Sequence, residues 1–138
     1  MNIAIRYYTK SGNTKKLADA ISEIAGIPAL PVTEKLPSDT DVLFLCNSVY
    51  WGGVDSAVKT FLKNPCAKIS CLVNVSTAAL VESSYAQMKK LAEKEGITIS
   101  DKEFHCKGAF AALHKGKPDS SDIEAVKAFA KEIIQGAE

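Results

Sequence analysis

The chain has 138 residues, a length typical of a single domain that buries a substantial core without disulfides or a structural metal. Its 17 basic and 16 acidic residues give a formal net charge of +1, which indicates neither a nucleic-acid partner nor a membrane surface. The first residues lack the pattern of a secretory signal peptide, and no apolar run approaches the roughly 18 residues that a membrane helix needs. We therefore expect one soluble, cytoplasmic domain over residues 1–138 that binds neither nucleic acid nor membranes.

Five strand-like runs follow one another along the chain, and helical periodicity separates most of them. The runs cover residues 3–8, 29–32, 42–46, 69–75 and 103–110. The third run is continuously apolar rather than alternating, as expected for a parallel strand that is covered on both faces. Alternating strands and helices around such a strand predict an α/β fold, a three-layer sandwich.

Four helices are predicted by apolar residues at helical spacing. Gly26 marks the end of the first helix, and Asp55 fits the N-cap of the second. The third helix is expected to start near residue 82 and to end at Gly96. Ser121 and Glu124 match a capping box at the start of the last helix.

A short polar loop lies between the first strand-like run and the first helix. Free backbone N–H groups and the positive end of the helix dipole meet at such a helix start, which makes it a site for an anion. The loop lacks the spacing of a Walker loop or a dinucleotide fingerprint, and it lacks the reactive residues of phosphatase and receiver domains. It predicts a phosphate cradle, with an ordinary helix cap as the alternative. The predicted phosphate-binding residues are Thr9, Lys10, Ser11, Gly12, Asn13 and Thr14.

These six residues fit the T-x-S/T-G-x-T pattern of flavodoxins, and the chain resembles that FMN-binding family over nearly its whole length. The resemblance implies a flavodoxin-like, five-stranded parallel sheet of order 2-1-3-4-5, with the ligand crevice at the carboxyl ends of strands one and three. The connection over residues 33–41 is shorter than a usual parallel crossover. It still suffices, because about nine extended residues reach about 30 Å, more than a step over one strand requires.

A second candidate segment directly follows the third strand-like run. In flavodoxins the corresponding loop flanks the isoalloxazine ring, so by resemblance Ser48, Tyr50 and Trp51 contact the cofactor, with the aromatic rings available for stacking. Gly52 and Gly53 would let a backbone peptide of this loop turn over toward the ring. The alternative is an aromatic hairpin tip that packs onto the second helix, with Trp51 filling core.

A third candidate segment lies at the end of the fourth run, where flavodoxins commonly place an aromatic ring and acidic residues. This chain has Ser76, Thr77 and alanines instead. By resemblance, Ser76 and Thr77 hydrogen-bond the pyrimidine edge of the flavin through side chains or amides, although plain turn residues would look the same. Acidic surroundings disfavour an anionic reduced flavin, so this departure predicts a less negative second reduction step than in an acidic flavodoxin.

The four cysteines form no C-x-x-C pair and have no histidine at zinc-ligand spacing, so no metal site is predicted. Cys46, Cys71 and Cys106 lie in or beside strand-like runs and are expected to be buried thiols. Cys66 is expected to be exposed. The basic loop at 115–117 is expected to be solvated, with an acidic redox partner as the alternative.

The sequence thus predicts an FMN-binding electron-transfer protein that shuttles electrons between unidentified protein redox partners and has no catalytic residue of its own. Two alternatives stay open. One is an FMN-dependent NAD(P)H:acceptor reductase of the quinone type, and the other is a flavodoxin-like domain that has lost FMN and acts as an interaction module. We expect a monomer, and we favour the electron carrier over a self-sufficient oxidoreductase.

Overall fold

A computed structural model describes residues 1–50, 53–78, 83–108 and 116–137, with Tyr50 described by its backbone alone. Strands and helices alternate through most of these ranges. In chain order, the elements are β1 (Ile3–Tyr7), α1 (Asn13–Ala25), β2 (Ala29–Pro31), β3 (Val42–Tyr50), β4 (Gly53–Val54), α2 (Ser56–Lys63), β5 (Leu72–Ala78), α3 (Tyr85–Lys94), β6 (Phe104–Lys107) and α4 (Ser120–Ala137).

The sheet has the strand order β2-β1-β3-β5-β6, and these five strands are parallel. The order 2-1-3-4-5 that the resemblance implied is therefore confirmed. The short β4 is an addition that the sequence pattern did not predict. It pairs antiparallel with the end of β3, Val49 opposite Val54 and Tyr50 opposite Gly53.

Alternate residues of β3 face two different apolar layers. Val42, Phe44 and Cys46 pack with apolar residues of α1 and α4, whereas Leu43 and Leu45 pack with those of α2 and α3. Successive strand residues point to opposite faces of a sheet, so a strand that is apolar throughout contributes to a core on each side. The predicted three-layer sandwich is confirmed.

The short connection between β2 and β3 is anchored by Arg6. Its side chain is 4% exposed, and it donates from Nε to the carbonyl oxygen of Glu34 at 2.7 Å and from Nη2 to that of Lys35 at 3.1 Å. Burial lowers the pKa of Arg6, although a guanidinium keeps its charge in proteins. Val32 and Leu36 are buried in the layer of α2 and α3. The connection is thus fixed without a crossover helix.

Several predicted helix ends are confirmed. Gly26 follows α1 in a left-handed conformation, and Gly96 does the same after α3. Asp55 is the N-cap of α2, where its Oδ1 accepts a hydrogen bond from the N–H of Ala57 at 2.9 Å. No helix in the described ranges is both long and apolar enough to cross a membrane.

The capping box of α4 lies two residues before the predicted one. The N–H of Asp122 donates to Asp119 Oδ1 at 3.0 Å, and the N–H of Asp119 donates to Asp122 Oδ2 at 2.9 Å. Lys117 Nζ lies 3.0 Å from a carboxylate oxygen of each aspartate. The prediction of Ser121 and Glu124 is therefore wrong, because the aspartates form the same reciprocal bonds and are also neutralised by a lysine.

β3 and β5 extend further toward their carboxyl ends than predicted. β3 continues through Tyr50, and β5 continues through Ala78. The segments 47–50 and 76–78 were expected to be loops beside the flavin ring, and they are strand instead. Their polar residues resemble turn signals locally, but their backbones pair with neighbouring strands and most of their side chains find partners in the interior.

Candidate functional site

The loop between β1 and α1 leaves the N-terminus of α1 without a side-chain hydrogen-bond cap, and we call this helix end open in that sense. Gly12 is the N-cap and has a φ of +90°, a left-handed conformation that glycine adopts without strain. Its N–H donates to Thr9 Oγ1 at 2.9 Å, which closes the loop, while Ser11 is exposed. A glycine cap offers no side-chain acceptor to the first N–H groups of the helix, and the first turn has no acidic residue. This helix end therefore suits an anion.

The lysines beside the loop are directed toward carboxylates. Lys15 Nζ lies 2.9 Å from Asp19 Oδ2, and this hydrogen bond raises the pKa of Lys15. Lys10 Nζ lies 3.9 Å from Asp55 Oδ2, at the N-cap of α2. Cations are unfavourable at a helix N-terminus, and these carboxylates offset part of that cost. Backbone N–H groups and hydroxyls, rather than lysine ammonium groups, are left as the main donors of the cradle.

Three buried hydroxyl side chains lie beside α1 on one face of the sheet. Ser48 of β3 and Thr77 of β5 are register partners, and they share a face with Cys46 and Val75 two residues earlier. Thr77 Oγ1 lies 3.1 Å from Thr14 Oγ1 in the first turn of α1. Ser48 is 5% exposed, and its Oγ has no hydrogen-bond partner within the described part of the chain.

The unpartnered Ser48 hydroxyl bears on whether the site fits a polar ligand. A buried hydroxyl without a partner costs about 1–3 kcal/mol, and a ligand atom that bonds to it removes this cost. The hydroxyl belongs to the strand end next to the open helix N-terminus. Such a site suits a ligand that has both an anionic group and further polar atoms. FMN, with its phosphate and its ribityl hydroxyls, fits these residues.

On the opposite face of the same strand ends, three buried side chains form a closed hydrogen-bonded ring. Asn47 Nδ2 donates to Asn74 Oδ1 at 2.8 Å, Asn74 Nδ2 donates to Ser84 Oγ at 3.0 Å, and Ser84 Oγ donates to Asn47 Oδ1 at 2.6 Å. This ring joins β3, β5 and the N-cap of α3. Because each of these polar groups already has a partner, the ring stabilises the strand ends rather than offering a ligand site.

The side chains of Ser76 and Thr77 serve different networks. Ser76 Oγ lies 3.4 Å from Ser83 Oγ, which donates to Glu103 Oε2 at 3.1 Å. Thr77 instead contacts α1 on the other face of β5. Adjacent strand residues point in opposite directions, so the two side chains cannot both bind one edge of a flavin ring. Hydrogen bonds from the amides of Ser76 and Thr77 to that edge stay a prediction.

Part of the predicted ring-side segment lies outside the described residues. This applies to Trp51, to Gly52 and to the side chain of Tyr50, and also to residues 79–82 and 109–115. The backbone of Tyr50 pairs with Gly53, so the described parts of the segment belong to two antiparallel strands. Stacking on a flavin therefore stays a prediction for these aromatic rings.

Gly53 is the described residue of this segment with the strictest requirements. Its φ is +88°, and a Cβ at this position would lie 2.6 Å from both terminal atoms of the Gln87 side chain. Gln87 Oε1 accepts a hydrogen bond from the N–H of Val54 at 3.1 Å. The backbone conformation favours glycine here, and a larger residue would also displace the flexible end of the Gln87 side chain.

Two of the four cysteines, Cys46 and Cys66, have the predicted exposure, and the other two are less buried than predicted. Cys46 is buried and Cys66 is exposed, whereas Cys71 and Cys106 are half-buried, and all four are free thiols. Burial raises the pKa of Cys106 to about 12, and it raises the pKa of Cys46 and of Cys71 as well. Raised pKa values keep these thiols protonated and unreactive at neutral pH.

No protein-family model matches the chain, and no curated protein matches it in sequence. The similarity lies in the structure. A flavodoxin from the domain Archaea superposes with a TM-score of 0.75 over 99% of both chains at 14% sequence identity. The chain has a flavodoxin-like fold. Flavodoxin 2 from Bacillus cereus gives a TM-score of 0.72 over 99% of both chains at 15% identity.

The same fold also occurs as one part of larger proteins. The flavodiiron core of Flv1 from Synechocystis superposes with a TM-score of 0.76 at 14% identity, over 99% of this chain but 36% of that one. The resemblance drawn from the sequence is confirmed at the level of the fold. At such identities the likeness establishes the fold, and the function must be argued from the site.

Proposed function

We propose that the protein binds FMN at the carboxyl ends of β1, β3 and β5 and transfers electrons between protein redox partners. The observation that carries the proposal is the open N-terminus of α1, capped by the left-handed Gly12 directly after β1. It lies where the strand order reverses between β1 and β3, the usual ligand position in open α/β sheets. The similarity to flavodoxins and to a flavodiiron core supports a flavin as the ligand.

The residues of the chain hold and orient the cofactor in this proposal. The first turn of α1 would hold the phosphate through backbone N–H groups and through the hydroxyls of Ser11 and Thr14. Thr9 fixes the loop through its bond to the N–H of Gly12. Ser48 supplies a buried hydroxyl beside this position. FMN, when bound, supplies the electron-transfer chemistry.

The ring side of the site sets the reduction potential in this proposal. Tyr50 and Trp51 would contact the flavin ring, and Gly52 and Gly53 would let the neighbouring backbone turn over toward it. The adjacent strand end carries small neutral residues rather than acidic ones. We therefore expect a second reduction step that is less negative than in an acidic flavodoxin. A redox titration of the FMN-loaded protein that gives a strongly negative second step would contradict this expectation.

The phosphate cradle is tested with the double variant Ser11→Ala/Thr14→Ala. We expect its affinity for FMN to fall at least about tenfold, because a hydrogen bond to a charged group contributes about 1.5–3 kcal/mol. Its affinity for riboflavin, which lacks the phosphate, should not change. Ser121→Ala, an exposed serine in α4, is the matched control and should bind both flavins like the wild type. Equal losses for FMN and riboflavin would refute the cradle.

The same preparations separate the carrier from the two alternatives. Steady NAD(P)H oxidation with a quinone by the FMN-loaded protein would assign it to the reductases. Failure to bind FMN at micromolar concentration would assign it to the interaction modules. An electron carrier binds FMN and accepts electrons from a reductase, but it does not turn over NAD(P)H by itself.

A further inference from the structure

We infer that Thr77 is a positioning residue for phosphate binding, and that its hydroxyl orients the hydroxyl of Thr14. This inference rests on the proposed FMN site and refines it. It transfers the side chain of Thr77 from the ring side of the site, where the sequence resemblance had placed it, to the phosphate side. The two residues are 63 positions apart in sequence and meet only through the fold.

The geometry fixes the Thr77 side chain from several directions. Its Oγ1 lies 3.1 Å from Thr14 Oγ1, and Thr77 and Thr14 are 2% and 0% exposed. Gly108, just after β6, packs so closely that a Cβ there would lie 3.1 Å from Thr77 Cβ and 3.4 Å from its Oγ1. The first turn of α1, β5 and the end of β6 thus enclose this hydroxyl. A side chain held in this way has little freedom to rotate.

Hydroxyl chemistry gives the contact its role. Each hydroxyl has one proton to donate and two lone pairs that accept. When Thr77 donates to Thr14, the proton of Thr14 is left for an acceptor outside the pair. Thr14 is the second residue of α1, so in this inference the acceptor is an anion bound at the helix N-terminus, which must reach a hydroxyl that is buried in this structure. A hydroxyl that accepts one hydrogen bond is also a stronger donor in the next, which favours an anionic phosphate oxygen.

The contact is specific to one side of β5. Ser76, the preceding residue, bonds with Ser83 and Ser84 on the other face. Among the described residues of this strand end, Thr77 is one whose side chain reaches the phosphate cradle. A Thr77 role at the flavin ring would affect FMN and riboflavin alike, whereas a role through Thr14 affects only FMN.

The test compares FMN and riboflavin dissociation constants for the wild type, Thr77→Val, Thr77→Ser and Thr40→Val. Thr77→Val keeps the side-chain shape, and we expect it to weaken FMN binding about tenfold while riboflavin binding stays the same. Thr77→Ser should restore FMN binding. Thr40 is also buried with a hydrogen-bonded hydroxyl, donating to the Ser38 carbonyl at 3.1 Å at the amino end of the sheet. Thr40→Val should therefore not change the ratio of the two constants.

Equal weakening of both flavins by Thr77→Val, or no weakening of either, would overturn the inference. A second readout does not require FMN. Titration with inorganic phosphate should shift the backbone amide signal of Gly12 in the NMR spectrum of the wild type and shift it less in Thr77→Val. A phosphate response without FMN binding would reject the proposed function and retain the Thr77 role. If the wild type binds FMN but Thr77→Val weakens FMN and riboflavin equally, the proposed function is retained and the Thr77 role is rejected.

Discussion

β3 and β5 are buried along most of their length, yet the side chains buried at their two ends differ in polarity. At the amino end the buried side chains are apolar, as in Leu43, Phe44 and Leu72. At the carboxyl end, Asn47 and Thr77 are just as buried but polar. Burial of apolar surface stabilises the folded state, whereas burial of a polar group costs free energy unless it is hydrogen-bonded. The amino end therefore holds the fold together, and the carboxyl end carries the site.

The carboxyl end itself has two unlike faces. Toward α2 and α3, Asn47, Asn74 and Ser84 satisfy one another in a closed ring. Toward α1, Ser48 has no partner in the described part of the chain, and Thr14 and Thr77 have each other. The first face is complete in itself, whereas we propose that a ligand completes the second. This contrast is what points to the α1 side as the place where a cofactor's polar groups are held.

The largest effect on stability is expected from Phe44→Ala at the amino end. Phe44 is fully buried among residues of α1 and α4, and loss of a buried aromatic ring costs about 3–5 kcal/mol. This loss should appear as a lower urea concentration at the midpoint of unfolding. The folded variant should keep its FMN affinity, because Phe44 lies below the site. A loss under about 1 kcal/mol would mean that the amino end is not the stabilising half.

A smaller loss is expected from Asn74→Ala at the carboxyl end. It removes one acceptor of Asn47 Nδ2 and the donor to Ser84 Oγ. Asn47 Nδ2 still donates to the Leu45 carbonyl oxygen at 3.1 Å, and Ser84 Oγ still donates to Asn47 Oδ1. The two lost hydrogen bonds should therefore cost about 1–3 kcal/mol in total, at about 0.5–1.5 kcal/mol each. The double variant Asn47→Ala/Asn74→Ala should cost less than the sum of the single variants, because the first substitution already breaks the ring. Additive losses would show that the ring does not act as a unit.

Ser48→Ala should separate stability from binding. It removes a hydroxyl that has no partner in the described residues, so the flavin-free protein should be as stable as the wild type or more stable. FMN affinity should fall, since the proposed ligand loses a hydrogen bond. The readouts are urea unfolding without flavin and FMN fluorescence titration. A clear loss of stability without flavin would place Ser48 in the structural network instead.

The smallest effect concerns thiol reactivity. The labelling rate of each cysteine reports on the burial of its side chain without changing the fold. At pH 8, Ellman's reagent should label Cys66 quickly and the other three thiols slowly. Burial raises the pKa of Cys106 to about 12, so its thiolate fraction is small at pH 8 and increases as the pH rises toward 12. Cys66→Ser should abolish the fast phase. A second fast thiol in that variant would contradict the assigned burial.

The sequence was sufficient for the main strands, for several helix ends and for the glycine before α1 because these depend on local signals, whereas the sheet order followed from the resemblance to flavodoxins. The apolar run of β3, Gly12 and Asp55 each act within a few residues of where they lie. Non-local contacts were not predictable in this way. Asparagine, serine and threonine indicate turns locally, yet Asn47 finds its partner 27 residues away and Thr14 finds its own 63 residues away.

Two wrong predictions, the end of β3 and the capping box of α4, could have been avoided from the sequence. In β3, polar Asn47 and Ser48 are followed by Val49 and Tyr50. These two residues have high strand propensity and indicate that the strand continues. The Asp119 and Asp122 box had the same spacing as the predicted box, and its acidic residues at a helix start were the stronger signal. The open hydroxyl of Ser48 had no such signal, because only the fold shows which polar groups lack a partner.

The most direct test of the central claim is a fluorescence titration of the wild-type protein with FMN and, separately, with riboflavin. The account predicts saturable quenching of FMN at one molecule per chain, with a dissociation constant clearly lower than that for riboflavin, because the phosphate binds at the N-terminus of α1. Absence of FMN quenching at micromolar concentrations, or equal affinity for the two flavins, would contradict the account.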